Sequence, residues 1–380
     1  MANNNFDIHL LIPSQCKSYQ QLDSYFVDNS PICNHFIEQL AICNQTEFSN
    51  PYVSNLIRHS FGEGSMKIID KSGKQTVADC FAIISIHDPT KLSVIDIVLN
   101  NMSNEAVFFV DYFRPKRLEV DFGSGFMSLD QWLQTIGLSQ VGEHRAIVFS
   151  KEELDLETRI KFLVTESEPI GRLIGDDFID KANDNIAQYD IAQAYVSETT
   201  LLEISSDFKT SIKDRLSVQA LEVFFVELLQ LQDAAICRIN NIIDCMLENE
   251  RIYFGNSYYD LITVVSELSK VTKFFDPRNF IYPTVRASFV RIADSFGIPR
   301  QLELMNENKS VLEQLINLNY AKIQSKENDI INIILIILSA IQVVPLIKGD
   351  LETLLYTAFT STTLLIFLIF LKKRLQKIRR

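Results

Sequence analysis

The sequence predicts an α+β domain followed by long α-helices and a C-terminal hairpin of two membrane-crossing helices. Three observations carry that reading. Nine of the twelve Gly and six of the ten Pro fall before residue 176, where short apolar runs alternate with turn residues. Residues 176–254 contain neither Gly nor Pro. Near the C-terminus two stretches of 18 residues each, 330–347 and 354–371, hold no formal charge. The composition agrees, because 47% hydrophobic residues, 22% charged residues and a mean hydropathy of +0.07 require the two kinds to be segregated along the chain.

Residues 1–165 are expected to form a mixed α/β domain. Runs rich in Val, Ile and Phe at 66–69, 77–86, 92–99, 106–113, 117–122 and 145–149 are bounded by Asp-Lys-Ser-Gly, His-Asp-Pro and Asn-Asn, the pattern of strands separated by turns. Ser128 followed by Gln131 matches a capping box, in which each side chain satisfies the other's backbone N–H, and it opens a helix carrying Trp132. The pairs Gly62/Gly64 and Gly123/Gly125 read as turns, since no P-loop or G-x-G-x-x-G surrounds them. No grouping of nucleophile, base and oxyanion donor stands out, and the expected class is not an enzyme.

Residues 166–299 form the helical region. Apolar residues recur at helical spacing through Leu216, Leu221, Phe224, Phe225, Leu228, Leu229, Leu231, Ile236, Ile239 and Ile243, which predicts one long helix or two nearly collinear ones over 206–250. Further helices are predicted at 258–275 and 282–296, interrupted by Asp276-Pro277 and by Gly297-Ile298-Pro299. Residues 300–344 again lack both breakers, so a stalk helix (300–329) is expected to run into a first transmembrane helix (330–347). A turn (348–353), a second transmembrane helix (354–371) and a basic tail (372–380) complete the chain.

At ~1.5 Å rise per residue each uncharged run covers ~27 Å, close to the ~30 Å hydrocarbon core of a bilayer. The tail residues Lys372, Lys373, Arg374, Lys377, Arg379 and Arg380 are placed to meet anionic lipid heads and, by the positive-inside rule, in the cytoplasm. Two spans return the N-terminal part to the same side, and the start MANNNFDIHLL lacks the basic opening and apolar length of a signal peptide. Without the tail, Lys348, Asp329, Asp350 and Glu352, the first 328 residues hold 29 basic against 45 acidic side chains, which excludes nucleic acid as a partner. Cys16, Cys33, Cys43, Cys80, Cys237 and Cys245 form no C-x-x-C pair and join no histidine cluster, so they read as reduced, packed thiols. The acidic stretches 152–157 and 176–184 read as solvated helix faces before they read as divalent-cation sites.

The informative pattern lies in the first uncharged run. Asn328, Asn332, Leu335, Ser339, Gln342 and Leu346 follow at steps of 4, 3, 4, 3 and 4, which places all six on one face of a helix. Polar groups in hydrocarbon are expensive unless they face protein or water. The stripe is therefore either helix-to-helix hydrogen-bond glue or the lining of a water-filled pore, with Lys348, Asp350 and Glu352 at its mouth.

An N-terminal α/β domain, long helices, a last helix continuing into the membrane, two closely spaced spans and a basic tail together resemble the CorA-like magnesium transporter superfamily. Around 320–347, Asn328 and Pro345 resemble the family's marks before and near the outer end of its pore helix, whereas the Gly-Met-Asn that follows in the family is replaced by Leu346-Ile347-Lys348-Gly349-Asp350. The resemblance implies a pentameric, funnel-shaped homo-oligomer in a prokaryotic inner or plasma membrane, with both termini cytoplasmic, membrane lipid as a partner and a cytosolic domain that gates conduction. It implies a divalent cation, Mg²⁺, as candidate cofactor without carrying over selectivity for it. A cation channel is the first expectation. The second is a signal-gated effector of the prokaryotic defence type that binds a small gating ligand, and the third a non-conducting, membrane-anchored interaction module.

Overall fold

The computed structural model describes residues 5–16, 19–27, 29–48, 56–69, 75–103, 118–163, 176–187, 192–205, 211–248 and 276–311, with single helical positions at 314, 325, 331, 332 and 335. The chain divides into two units, Met1–Ile239 with Ser266–Leu304, and Asn240–Val265 with Met305–Arg380.

The first unit is organised by a ten-stranded sheet in the order β6-β5-β2-β3-β4-β1-β8-β10-β9, with β7 paired to β1 off this path. Its long strands are β1 (Asn5–Cys16), β2 (Leu56–Ile69), β3 (Gln75–His87) and β4 (Leu92–Ser103). The shorter ones are β5 (Leu118–Asp121), β6 (Met127–Ser128), β7 (Leu138–Gln140), β8 (Arg145–Ser150), β9 (Ala192–Val196) and β10 (Thr200–Ser205). Every pairing is antiparallel except β10 on β8, which closes a crossover through α4 (Leu156–Leu163) and α5 (Asp176–Asn183).

β1 is central because it is read on both edges. It pairs with β4 over its whole length, while on the other edge Phe6–Leu11 meet β8 and Ser14–Cys16 meet β7. Pro13, which has no N–H to give, sits where β1 passes from β8 to β7, and its carbonyl accepts from the Val141 N–H at 3.0 Å.

Strand alternation sorts the sheet into two faces. Phe6, Ile8, Leu10 and Ile12 of β1, Ala82, Ile84 and Ile86 of β3, Ile95, Ile97 and Leu99 of β4, and Leu202 and Ile204 of β10 build an apolar core with Trp132 and Leu133 of α3 (Leu129–Thr135) and Phe162 and Leu163 of α4. The capping box expected at Ser128 and Gln131 opens α3 with both reciprocal bonds formed. The glycine pair at 123 and 125 makes a turn, each N–H bonded to Asp121 Oδ1. Gly62 instead stands at a register shift inside β2, a bulge with φ +83°, where a turn had been expected.

The opposite face is crossed by α6 (Ile212–Glu248), one continuous helix where the periodicity allowed either one long helix or two nearly collinear ones. Its buried stripe mixes apolar residues such as Phe224, Phe225 and Leu228 with Gln219, Glu227, Gln230 and Asp233. α1 (Tyr19–Asp23), α2 (Pro31–Thr46) and α7 (Pro283–Ser295) complete the described helices of this unit that have their own labels, and residues 298–304 are helical as well. In the second unit, residues 240–248 and 305–311 are helical and Asn308 Nδ2 donates to Asn240 Oδ1 at 3.4 Å.

The structure corrects three connected expectations. Among the described residues no helix is long and apolar enough to cross a membrane, and this overturns the two-helix transmembrane hairpin, the membrane and ion-transport assignment, and the integral-membrane localisation with cytoplasmic termini. The physical reason is clearest in α6, the longest helix: Glu222, Glu227, Asp233 and Arg238 interrupt its apolar sequence, and its apolar side chains face the sheet. Of the runs 330–347 and 354–371, only Ile331, Asn332 and Leu335 are among the described residues. A further difference concerns β9 and β10, which lie in the stretch read as helical for its lack of Gly and Pro. Absence of breakers permits a helix, but Tyr195, Val196, Leu201, Leu202 and Ile204 suit a buried strand pair, and packing decides between them. The expected strand at 106–113 and helix at 258–275 lie outside the described residues.

Candidate functional site

Chemistry on this sheet is concentrated where α6 crosses it. Asp7 and His9 of β1 and Asp96 of β4 are all buried, because residues that alternate with the apolar core point toward α6. His9 Nδ1 donates to Asp96 Oδ2 at 2.9 Å and His9 Nε2 donates to Gln219 Oε1 at 3.2 Å. Gln219 Nε2 in turn donates to Asp7 Oδ2 at 3.0 Å, so its amide oxygen is turned toward the ring. Both ring nitrogens thus face acceptors. Burial works against the charged ring, yet the Asp96 charge and these bonds outweigh it and His9 is held above its usual range. Burial likewise raises the Asp96 carboxyl, opposed by His9. Asp7 is also bonded by Arg215 Nε at 2.6 Å.

Farther along α6, Arg58 of β2 donates to Glu227 at 2.7 Å and to Ser85 Oγ at 3.1 Å. Arg145 of β8 donates to Gln230 at 3.0 Å, Asp233 at 3.2 Å and the Glu198 carbonyl at 3.3 Å, and lies 4.6 Å from the Phe296 ring centroid. Gln230 Nε2 reaches the Leu11 carbonyl at 3.2 Å and Arg238 the Thr90 carbonyl at 2.9 Å. Arg215, Gln219, Glu227, Gln230, Asp233 and Arg238 therefore fasten one stripe of the helix to β1, β2, β8 and the turn between β3 and β4. Each charge in the stripe has a partner and the network fixes the register of α6, while Asp96 Oδ1 and Asp233 Oδ1 are buried without a hydrogen bond of their own among the described residues.

The exception lies at the other edge of the same face. Leu201, Glu203 and Ser205 of β10 point toward the helices, and their partners on β9 include Ala194 opposite Glu203 and Ala192 opposite Ser205. The small alanines leave space that α6 closes with Val218, Leu221, Glu222 and Phe225, spaced i, i+3, i+4 and i+7, and α7 closes with Val285, Ser288 and Ile292. Ile186 and Ala187 complete a cavity of about 190 Å³.

Two carboxyl groups meet this cavity. Glu203 is only 7% exposed, and no hydrogen bond or ion pair engages its side chain among the described residues. Burial pushes its carboxyl up to about 7. Burial and the neighbouring Glu203 raise Glu222 well above the usual carboxylate range. Two like charges this close resist ionising together, so ionising one carboxyl makes the other harder to ionise.

A larger cavity of about 780 Å³ is lined by Glu63, Asp79, Asn100, Asn101 and Met102, among others. Glu63, Asp79 and Asn101 are exposed there.

Neither carboxyl was singled out by the sequence, which offers no motif around Glu203 or Glu222. Their 19-residue separation becomes proximity only through the packing of β10 against α6. Of the residues expected to line a pore, Asn332 and Leu335 are helical and exposed, whereas Asn328, Ser339, Gln342 and Leu346 lie outside the described residues. So do the mouth residues Lys348, Asp350 and Glu352 and the tail residues Lys372, Lys373, Arg374, Lys377, Arg379 and Arg380. For the candidate Mg²⁺, no group of three or more His, Cys, Asp or Glu among the described residues is placed to hold a metal ion. Within the acidic stretch 152–157, Asp155 caps α4 through the Thr158 N–H at 2.7 Å and Glu157 pairs with Lys161. The five described cysteines form no disulfide, and burial pushes Cys43 and Cys237 up to about 11 and Cys80 up to about 12.

No family model, curated protein or solved structure matches this chain. The CorA-like resemblance rests on the sequence pattern alone.

Proposed function

We propose that the sheet domain binds a small molecule in the cavity between β9, β10, α6 and α7, and that its role is sensing rather than catalysis. One observation carries this reading: Glu203 is buried at a cavity wall with no hydrogen-bond partner among the described residues. Burial makes the charged form of this carboxyl costly, its oxygens open onto the cavity, and an occupant that bonds them recovers part of that cost. A sensing role is supported by the walls. Leu201, Leu221, Phe225, Val285 and Ile292 supply apolar contact, and among the described residues no histidine, cysteine or lysine joins the two carboxyls to act as nucleophile or proton relay.

The cavity lies below the ~300–1,000 Å³ of drug-sized sites, so the occupant is correspondingly small. Its test is a ligand-observed NMR screen of fragments of roughly five to eight heavy atoms against the full chain. Hits that lose binding in Ser288→Leu, which places a larger side chain at the α7 wall, support the site. A screen in which no fragment depends on residue 288 refutes it.

A further inference from the structure

From the chemistry of the cavity walls we infer that the occupant is a small organic cation, a primary ammonium group on an apolar body of roughly six heavy atoms. The inference rests on the binding role proposed above and names its ligand class.

The lining of the cavity is of two kinds. Glu203 and Glu222 both reach it, while Leu201, Leu221, Phe225 and Val285 make up much of the remaining lining. A carboxylate accepts hydrogen bonds and donates none, and an ammonium group donates three and accepts none. One such group can therefore satisfy oxygens on both carboxyls at once. An anion would meet two acidic groups and be rejected. A bare divalent cation needs six or more oxygen ligands or several retained waters. The apolar lining supplies none of those ligands, and among the described residues no third acidic, histidine or cysteine side chain gathers there. A neutral apolar molecule would fill the walls and leave Glu203 without a partner.

Size narrows the class further. At ~30 Å³ per water in the liquid, a cavity of about 190 Å³ holds about six water volumes, which corresponds to an amine of roughly that many heavy atoms. Ser288 on α7 and Ser205 on β10 line the same space, which leaves room for a hydroxyl on the ligand body.

The probes are n-pentylamine and 1-pentanol, which share a chain and differ in the charged group. Isothermal titration of the full chain at pH 8 is expected to give at least tenfold tighter binding of pentylamine than of pentanol. Glu203→Gln, nearly the same shape without the charge, is expected to erase that preference while leaving pentanol binding within about twofold. Pentanol serves as the folding control for the variant. Equal or tighter binding of pentanol by the unaltered chain overturns the cationic ligand class and leaves the binding cavity standing. If neither probe binds, and Ser288→Leu changes nothing in the fragment screen, the cavity reading fails together with the ligand class. Preference retained in Glu203→Gln overturns the assignment of the carboxyl pair as the recognition element.

Discussion

Replacing Glu203 by Gln is expected to stabilise the protein in a pH-dependent manner, and the structure supplies both sign and size. The carboxyl is raised from an ordinary 4.5 to about 7 by burial. Below pH 4.5 it is protonated in folded and unfolded chains alike and contributes no difference. Between 4.5 and 7 the folded chain holds a proton that the unfolded chain has released, so stability falls as pH rises. Above 7 the loss is complete. A gap of about 2.5 pH units corresponds to about 3 kcal/mol at ~1.4 kcal/mol per unit. Gln carries no charge at any pH and escapes the whole loss. The variant should match the natural chain near pH 4.5 and exceed it by about 3 kcal/mol at pH 8. For a domain of this size that is a rise in melting temperature of roughly 6–12 °C. Urea denaturation of both chains at half-unit pH intervals from 4.5 to 8.5 reads the difference directly. A stability difference that is constant across this range would refute the reasoning, because it would mean that Glu203 titrates alike in both states.

The remaining predictions concern the framework. Arg215→Ala removes the cation that pairs with Asp7, which is fully buried and otherwise bonded by Gln219 and the Asn101 N–H, and should cost about 3–5 kcal/mol in urea denaturation. His9, held above its usual range, contributes stability that is fully present below about pH 6.5 and is lost as pH rises through its folded value. Asp96→Asn removes the charge that raises it, and an NMR titration should find the ring of the variant below 6.5, since burial then prevails. Gly64→Ala places a methyl group 2.5 Å from the Asp121 carbonyl and against the Phe122 ring, and should destabilise β2 and β5 by about 1–3 kcal/mol, measured by thermal denaturation. Ser128→Ala removes one half of the capping box on α3 and should cost about 1 kcal/mol in the same assay.

Several elements were legible before any coordinates. β3, β4 and β8 announce themselves as runs of Val, Ile and Phe between turns, and the periodic apolar residues of α6 and α7 are those that the fold buries. Asp7 and His9, by contrast, precede the first strand that the sequence predicts, and no motif singles them out. They are buried because α6 supplies Arg215 and Gln219 to satisfy them, and those partners lie more than two hundred residues away in sequence. The membrane hairpin was inferred from uncharged length, yet no described helix is long and apolar enough to cross a membrane. Hydropathy measures what a segment would prefer to leave, which is water, without naming what it enters.

The sequence by itself determined local matters: where turns interrupt apolar runs, where a helix is capped, and which face of α6 is apolar. These follow from steric preference and periodicity over a few residues. The tertiary structure alone decided that β1 lies at the centre of the sheet, that its polar face is clamped beneath α6, and that Glu203 and Glu222 share a cavity. Such features depend on which distant elements pack together. The ionisation of a carboxyl depends on the protein and water around it, and that environment exists only once β10 has been placed against α6.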